Sequence, residues 1–304
     1  MKTIKPQVFL IEQPDMAKRI EYVGRVCYAS RDKITEDSYK KFIKNIINRG
    51  HTSVLEHSNI VIRTTSISKM HINALLECYT EATGRPHFIR HLHFDDYFSG
   101  NIRAWRNICD VSDSCVLYNT FGDENFEYAW MFEDLLRKPK NENRSYKAEI
   151  VEPPKNSEIH NILTFEFIIS RAVANEIVRH RQLSFAQSST RYINSYDLEV
   201  VKPWWFDDYT MPNYDVLKSN FLTSAIEDER HYRVYIENGK QPQLARDCLP
   251  QCTACNLCVT GTIKAWRDFI ELRTAPGAHP DIRIVAEQVK NVVNTFYKGE
   301  NNDE

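Results

Sequence analysis

The strongest chemical signal in this sequence is a short basic segment. Arg179, His180 and Arg181 stand in succession, and Arg191 follows after a run that is rich in hydroxyl groups. Cationic side chains suit the negative end of a helix, while guanidinium groups and the N–H groups of a turn make a cradle for phosphate. The arginines exceed what one monophosphate needs, so the segment predicts two phosphorylated ligands side by side. The alternative is an exposed basic turn that only caps a helix. The hydroxyl groups belong to Ser184, Ser188, Ser189 and Thr190.

A second group of reactive residue types is crowded towards the end of the sequence. Cys248, Cys252 and Cys255 have the CxxxCxxC spacing of radical S-adenosylmethionine enzymes, and Cys258 adds another thiol. Thiolates at such spacing can hold an iron–sulfur cluster. In those enzymes the motif follows the first strand of a βα barrel, whereas no repeated βα units are recognisable here. We therefore favour small, buried structural cysteines, and an iron–sulfur protein is the alternative.

Histidines and an acid are clustered at His87, His91, His93 and Asp95. Imidazole groups at such spacing bind zinc when paired cysteines or an HExxH motif complete the ligand set. Neither accompanies this cluster, so we favour a solvated surface and expect no metal site.

Basic and aromatic residues interleave between residues 85 and 106, as in proteins that bind single-stranded nucleic acid. The aromatic residues are Phe88, Phe94, Tyr97 and Trp105. Asp95 interrupts the stretch, and the formal net charge of the whole chain is −2. Since a global basic field is absent, we expect no nucleic-acid partner.

The composition is that of an ordinary globular protein. The 304 residues are 42% hydrophobic and 26% charged, which is enough for a sizeable core. No apolar run approaches the roughly 20 residues of a spanning helix, and nothing resembles a signal peptide. The eight cysteines are unevenly spaced, which favours free thiols in a reducing compartment. We therefore expect a cytoplasmic protein without a membrane partner.

Hydrophobic periodicity predicts an α+β protein. The predicted strands cover residues 8–12, 59–65 and 162–169. The predicted helices cover residues 16–28, 35–49 with Thr35 as the N-cap, 68–83, 124–137, 171–180, 215–238, 262–273 and 281–297. Residues 138–158 are polar and predict an exposed loop, and residues 298–304 predict a frayed tail.

One sequence pattern occurs twice. Residues 100–107 (GNIRAWRN) closely resemble residues 261–268 (GTIKAWRD). Two copies of this length do not make a solenoid. The similarity is either a coincidence or the mark of two similar helix starts, capped by Asn101 and Thr262.

Four ordered motifs carry a resemblance to a known family. Arg179 to Ser189 fits RHR-x7-S, and residues 50–57 (GHTSVLEH), 245–250 (ARDCLP) and 272–279 (LRTAPGAH) fit three further segments. Together they resemble the flavin-dependent thymidylate synthases, whereas RHR alone would be a weak signal. The resemblance runs from about residue 25 to 287, with residues 66–160 as an apparent insertion.

The resemblance implies a fold and an activity. The fold is a mixed or antiparallel sheet flanked by helices, forming a single catalytic domain over residues 1–304. The activity is the reductive methylation of dUMP to dTMP, with FAD as cofactor and NADPH and methylenetetrahydrofolate as co-substrates. The assembly is a homotetramer with its sites at subunit interfaces. A flavin-dependent hydroxymethylase, or a methylase of another pyrimidine nucleotide, is the alternative.

The resemblance also assigns roles by position. The residues that would hold dUMP are Glu176, Arg179, Gln187, Ser188, Ser189, Thr190, Arg191 and Arg246. The residues that would contact FAD are Ser53, Arg179, His180, Arg181 and Gln187. A further FAD contact in the family comes from an Asn-x-Arg pattern followed by another Asn. At the aligned positions this chain has Thr262, Lys264 and Asp268, while the earlier copy has Asn101, Arg103 and Asn107, and either set remains a candidate.

Arg273 would lie against the uracil edge and is the predicted catalytic residue. Uracil C5 becomes nucleophilic when negative charge builds at N3, O2 and O4. A fixed guanidinium group stabilises that charge where it develops. The alternative role is a helix-terminal arginine paired with a carboxylate such as Glu271.

Overall fold

A computed structural model describes residues 1–92, 95–139 and 146–297 of the chain. Its backbone contacts divide it into two compact units. Unit 1 comprises Met1–Glu12, Tyr22–Lys33 and Leu163–Glu304, and unit 2 comprises Gln13–Glu21 and Ile34–Ile162. The tail predicted to fray, 298–304, lies outside the described residues.

The chain contains both strands and helices, as the periodicity predicts. The strands are β1 (Lys2–Ile4), β2 (Gln7–Leu10), β3 (Ile60–Arg63), β4 (Arg90–His91), β5 (Tyr97–Gly100), β6 (Glu149–Val151), β7 (Ile162–Ser170), β8 (Ser184–Gln187), β9 (Glu199–Val201) and β10 (Ala254–Thr262). The helices are α1 (Met16–Val26), α2 (Ser38–Asn48), α3 (Ser66–Thr83), α4 (Ile102–Asp110), α5 (Cys115–Phe121), α6 (Arg171–Ile177), α7 (Tyr214–Glu237), α8 (Pro242–Ala245), α9 (Ile263–Thr274) and α10 (Pro280–Tyr297). None of the helices in this described part is long and apolar enough to cross a bilayer.

Unit 1 is built on a four-stranded sheet in the order β2-β7-β10-β8. The pairs β2–β7 and β8–β10 are antiparallel, and a separate parallel pair joins β1 to β9. Phe165 and Phe167 alternate along β7 and meet Trp266 and Phe269 of α9 in a fully buried core. Helices α9 and α10 pack on this core because each has an apolar stripe.

Unit 2 is built on a second four-stranded sheet, in the order β4-β5-β3-β6. Strand β3 pairs antiparallel with both β5 and β6. The ring centroids of Trp105 in α4 and Phe121 in α5 lie 5.3 Å apart, and the Phe121 ring stacks on that of Phe132 with a centroid distance of 4.7 Å. The expected α+β class, with antiparallel sheets flanked by helices, is therefore confirmed at this level.

The repeated sequence pattern marks two capped helix starts, as one of the two interpretations predicts. The Asn101 side chain accepts a hydrogen bond of 2.8 Å from the Ala104 amide at the start of α4. The Thr262 hydroxyl accepts one of 3.1 Å from the Ala265 amide at the start of α9. Each cap satisfies an amide that the helix leaves unpaired.

Three expectations about unit 2 are wrong. The helix predicted over 124–137 is absent: α5 ends before this range, at Phe121, and the range contains a 3-10 turn at Ala129–Met131, where Phe132 stacks on Phe121 in an aromatic cluster. Helix α2 begins at Ser38 and not at a Thr35 cap, since the Ser38 hydroxyl accepts from the Thr35 amide. The loop predicted over 138–158 contains β6, whose backbone is held by β3. Residues 140–145 of that loop lie outside the described residues.

Candidate active site

Arg273, in the last turn of α9, is held by three hydrogen bonds. Its Nε donates to His180 Nε2 at 2.8 Å, its Nη1 to Glu176 Oε2 at 3.0 Å and its Nη2 to the Glu176 carbonyl at 3.0 Å. The carboxylate partner is therefore Glu176 of α6 and not Glu271. These bonds fix the guanidinium relative to the basic segment, which begins where α6 ends.

His180 is neutral in this arrangement. Its Nε2 accepts a hydrogen bond from Arg273 Nε, so the ring proton is on Nδ1. Burial, and then the adjacent Arg273 charge, lower the pKa of His180 below its ordinary value. The ring also packs edge-on against Phe269, with centroids 4.9 Å apart. Arg273 therefore sets both the orientation and the tautomer of His180.

Positive charge is available beside this group. The side chain of Arg273 is only 16% exposed. Its guanidinium has five N–H donors, of which three are used in these bonds and two remain for a ligand. Arg179 and Arg181 are exposed, and neither forms an ion pair with any residue that the structure describes. The segment can thus bind a polyanionic ligand without first breaking an internal salt bridge.

The hydroxyl-rich loop is anchored at both of its ends. Gln187 donates to Cys255 Sγ at 3.4 Å, and Ser188 exchanges backbone and side-chain hydrogen bonds with Asn256 of β10. The Ser189 amide donates to the Cys27 carbonyl at 3.0 Å. The Ser189 hydroxyl accepts from the Arg191 amide at 3.3 Å, while the exposed Arg191 guanidinium lies 5.4 Å from the Tyr192 ring. Half-buried Thr190 lies between them.

Sequence reasoning missed a buried carboxylate behind this loop. Glu166 of β7 is 3% exposed and accepts from Tyr22 at 2.6 Å, Arg31 at 3.0 Å and Asn256 at 2.7 Å. Burial and the hydrogen bond to Glu166 raise the pKa of Tyr22 to about 12. The signal was a single carboxylate within an otherwise apolar strand, because a buried charge needs partners.

The Glu166 network borders a cavity of unit 1 with a volume of about 550 Å³. Its polar lining includes Arg31, Ser188, Asn194 and Asn256. Asn256 therefore links the buried carboxylate to the loop that is predicted to hold dUMP.

A single chain brings only part of the predicted dUMP site together. Arg273, Glu176 and His180 are in direct contact. Within the described residues, no hydrogen bond or ion pair joins Arg191 or Arg246 to them. Arg246 is in a 3-10 turn after α8, with its side chain 42% exposed and only its neighbour Asp247 at 3.9 Å as an ionic contact.

The two candidate sets for the further FAD contact differ in their bonding. In unit 1, the Thr262 hydroxyl caps α9, and Lys264 forms an ion pair with Asp268 one turn later. In unit 2, Arg103 forms an ion pair with Glu56, which belongs to the same 3-10 turn as Ser53. Asn101 caps α4, and Asn107 is exposed. Within unit 2, the ion pair between Arg103 and Glu56 thus links the candidate set of Asn101, Arg103 and Asn107 to the GHTSVLEH segment.

The cysteines do not form a cluster site. Cys255 and Cys258 are buried in β10, and Cys248 and Cys252 lie in the preceding turn. Burial raises the pKa of all four thiols, that of Cys252 to about 11. Among the residues described, no three histidine, cysteine or acidic side chains are placed to hold a metal ion. The geometry therefore gives no support to the iron–sulfur hypothesis, because such clusters need converging thiolates.

The zinc and nucleic-acid hypotheses meet structural obstacles in unit 2. Asp95 is already bonded to His160 Nε2 at 3.2 Å, while His93 of the histidine cluster lies outside the described residues. Trp105 of the basic and aromatic stretch is fully buried, so it cannot stack on a base. Phe88 is exposed, and Phe94 lies outside the described residues.

Comparison with known proteins decides the family. The sequence model of Thy1, described as thymidylate synthase complementing protein, matches residues 9–77 and 127–297. The chain belongs to the Thy1 family. The segment that the Thy1 match leaves out, 78–126, lies inside the apparent insertion at 66–160.

Individual relatives of the Thy1 chain carry an enzyme name. It is 31% identical to the flavin-dependent thymidylate synthase of Mycobacterium sp. (strain JLS) over 160 residues, which are 47% of this chain and 63% of that protein. It is 29% identical to the one of Corynebacterium efficiens over 156 residues, 47% and 62% of the two chains. It is 31% identical to the one of Mycobacterium bovis over 128 residues, 39% and 51% of the two chains. The chain thus spans less than two thirds of the length of these relatives.

Proposed function

We propose that this Thy1 protein is a flavin-dependent thymidylate synthase, an FAD-dependent methyltransferase that converts dUMP to dTMP with methylenetetrahydrofolate and NADPH. The observation that carries the proposal is the fixed group of Arg273, His180 and Glu176 beside the unpaired Arg179 and Arg181. A guanidinium that is held in place before the substrate arrives needs no reorganisation when negative charge develops on the substrate.

The chain's own residues divide the work of binding dUMP. Arg179, Arg191 and Arg246 supply charge for the phosphate, and Ser189 supplies a hydroxyl at a turn. Arg273 uses its two remaining donors on the uracil edge, where it stabilises negative charge at O2, N3 or O4 and so makes C5 more nucleophilic. The pocket is completed by Gln187, Ser188 and Thr190, and Glu176 accepts a hydrogen bond that holds Arg273 in position.

The residues present fit a flavin. Its pyrophosphate needs cationic donors, and Arg179 and Arg181 are exposed without ionic partners among the described residues. We propose that Arg179, His180, Arg181, Gln187 and Ser53 hold FAD. When bound, it supplies the hydride that completes the methyl group. The neutral His180 offers its Nδ1–H as a donor towards it.

We further propose that both units serve one activity over residues 1–304, in a homotetramer with sites at subunit interfaces. This assembly would explain why neither Arg191 nor Arg246 is joined to the Arg273 group by a hydrogen bond or ion pair within the described residues of one chain, since another subunit can supply them. The proposal is tested by the mass of the protein in solution, and a strictly monomeric yet active enzyme would contradict it.

The activity is tested by anaerobic incubation with FAD, dUMP, methylenetetrahydrofolate and NADPH, with the products resolved by mass. dTMP is the expected product. A hydroxymethyl product would select the alternative activity, and the absence of any product with flavin-loaded protein would refute both. Matched incubations with dCMP test the choice of pyrimidine nucleotide.

A further inference from the structure

Units 1 and 2 share more than a repeated sequence pattern. In unit 1 the three strands β7, β10 and β8 are adjacent in that order, and in unit 2 the strands β3, β5 and β4 are adjacent in that order. In both units the first strand leads into a helix capped by a hydroxyl group, Ser170 for α6 and Thr65 for α3. The last of the three strands in the chain leads into the helix that carries the repeated pattern.

The register of the strands is also the same. If Gly100 is equivalent to Gly261, then Ser99 corresponds to Thr260 and Phe98 to Val259. Ser99 and Phe98 pair with the successive residues 90 and 91 of β4. Thr260 and Val259 pair with the successive residues 184 and 185 of β8. Since β4 begins at Arg90 and β8 at Ser184, the residue before the glycine pairs in both units with the first residue of the neighbouring strand.

One side-chain contact occurs in both units. The indole N–H of Trp105 donates to the Ile60 carbonyl at 3.3 Å, and that of Trp266 donates to the Leu163 carbonyl at 3.1 Å. Ile60 is the first residue of β3, and Leu163 is the second residue of β7.

Each of the two glycines also lies close to an apolar side chain, Ile89 beside Gly100 and Leu183 beside Gly261. A Cβ on Gly100 would lie 2.5 Å from Ile89, and a Cβ on Gly261 would collide with Leu183. Ile89 and Leu183 each stand directly before the strand that pairs with the glycine's own strand. Only glycine fits without displacing the neighbour at either position.

From these equivalences we infer that residues 60–110 of unit 2 are a diverged second copy of the core of unit 1, and that this copy has lost the dUMP site. The second part rests on the proposed function of unit 1. Counted along the chain from the repeated glycine and from the strand paired with it, the positions of Arg273 and His180 are taken by Ser112 and Pro86, neither of which can form the same hydrogen bonds. The Ser112 hydroxyl is buried without a partner in the described part of the chain.

The copy also lacks the segment that holds the other predicted ligands. Strands β8 and β10 are separated by residues 188–253, which contain Ser189, Arg191 and Arg246. The equivalent strands β4 and β5 are separated by residues 92–96 only. One difference remains in the edge strand, since β2 precedes its sheet in the chain whereas β6 follows. The chain therefore carries two copies of the core and one dUMP site.

The duplication is tested by double-mutant cycles at the two glycines. The added methyl of Gly100→Ala or Gly261→Ala clashes only with the end of a neighbouring side chain, so each substitution should lower the melting temperature less when that neighbour is truncated, in Ile89→Ala or Leu183→Ala, than in the wild type. Should the glycine variants not fold, Trp105→Phe and Trp266→Phe serve instead and should lower the melting temperature by similar amounts. Coupling in one cycle beside additivity in the other, or a Trp105→Phe without effect beside a costly Trp266→Phe, would overturn the equivalence.

The loss of the dUMP site from residues 60–110 is tested by calorimetric titration of the full-length, flavin-loaded protein with dUMP. One site per chain is expected, weakened at least tenfold by Arg179→Ala and unchanged by Arg85→Ala at the equivalent exposed position. Two sites per chain, one of them weakened by Arg85→Ala, would overturn this inference. Complete absence of dUMP binding would instead refute the proposed function, while the glycine cycles would still decide the duplication.

Discussion

The Arg273→Ala variant tests the site most directly. The substitution removes the three hydrogen bonds to His180 and Glu176. Hydrogen bonds that involve a charged group contribute about 1.5–3 kcal/mol each. The side chains of Arg273 and Glu176 are 16% and 31% exposed, so water compensates part of the loss. We expect the free energy of unfolding to fall by about 2–4 kcal/mol, which corresponds to roughly 5–15 °C in melting temperature.

The effect on catalysis should be larger than the effect on stability. Removal of one preorganised donor from a developing negative charge slows catalysis by about 10²–10³-fold. Arg273→Lys should remain close to the alanine variant, because one ammonium group cannot replace the directional donors of the guanidinium. The measurements are thermal unfolding, flavin absorbance after purification and the rate of dTMP formation.

A matched control is available on the same helix. Glu271 is exposed on α9, so Glu271→Ala should change the free energy of unfolding by no more than about 0.5 kcal/mol and leave the rate of dTMP formation intact. Near-normal dTMP formation by a folded, flavin-loaded Arg273→Ala protein would remove Arg273 from the mechanism. An unchanged melting temperature would show that the three bonds do not stabilise the fold.

Three further predictions concern neighbouring groups. The pKa of His180 is lowered in the folded state, so the stability that its neutral form contributes is lost as the pH falls below the unfolded value of about 6.5. The melting temperature should therefore fall more between pH 7 and 5.5 in the wild type than in His180→Gln. Equal decreases in the two proteins would refute the neutral state of His180. Glu166→Gln should lower the free energy of unfolding by about 2–4 kcal/mol, because it leaves Arg31 without its buried counter-charge, and a melting temperature equal to that of the wild type would contradict this. Flavin absorbance should be lost in Asn107→Ala but kept in Lys264→Ala if unit 2 supplies the further FAD contact, and the reverse outcome would assign that contact to α9; neither residue is a helix cap, so helix stability does not confound the comparison.

Much of the secondary structure follows from local signals. The sequence predicts that helix α3 ends at Gly84, and the structure has this glycine at φ 64°, a conformation that few other residues adopt. Strand β7 and the long helix α7 are likewise recognisable from apolar periodicity. In contrast, α5 and β6 could not be predicted, because a seven-residue helix and a three-residue strand depend on their packing partners.

The residue types of the site are also recognisable from sequence. Arg179, His180 and Arg181 are adjacent, and their proximity needs no tertiary information. Their protonation does, since the neutral state of His180 follows from a bond to Arg273, which is distant in the sequence. The same holds for Glu166, whose three partners come from separate segments of the chain.

The sequence by itself determined the motifs, the capped helix starts and the family resemblance, because each depends on residues that are close together in the chain. Only the tertiary structure decided which side chain Arg273 pairs with, and that residues 60–110 share the strand order and register of the core of unit 1. Such facts depend on pairing between distant segments. Hydrogen-bond partners and strand neighbours are chosen by packing of the whole chain, and the linear spacing of residues does not record that choice.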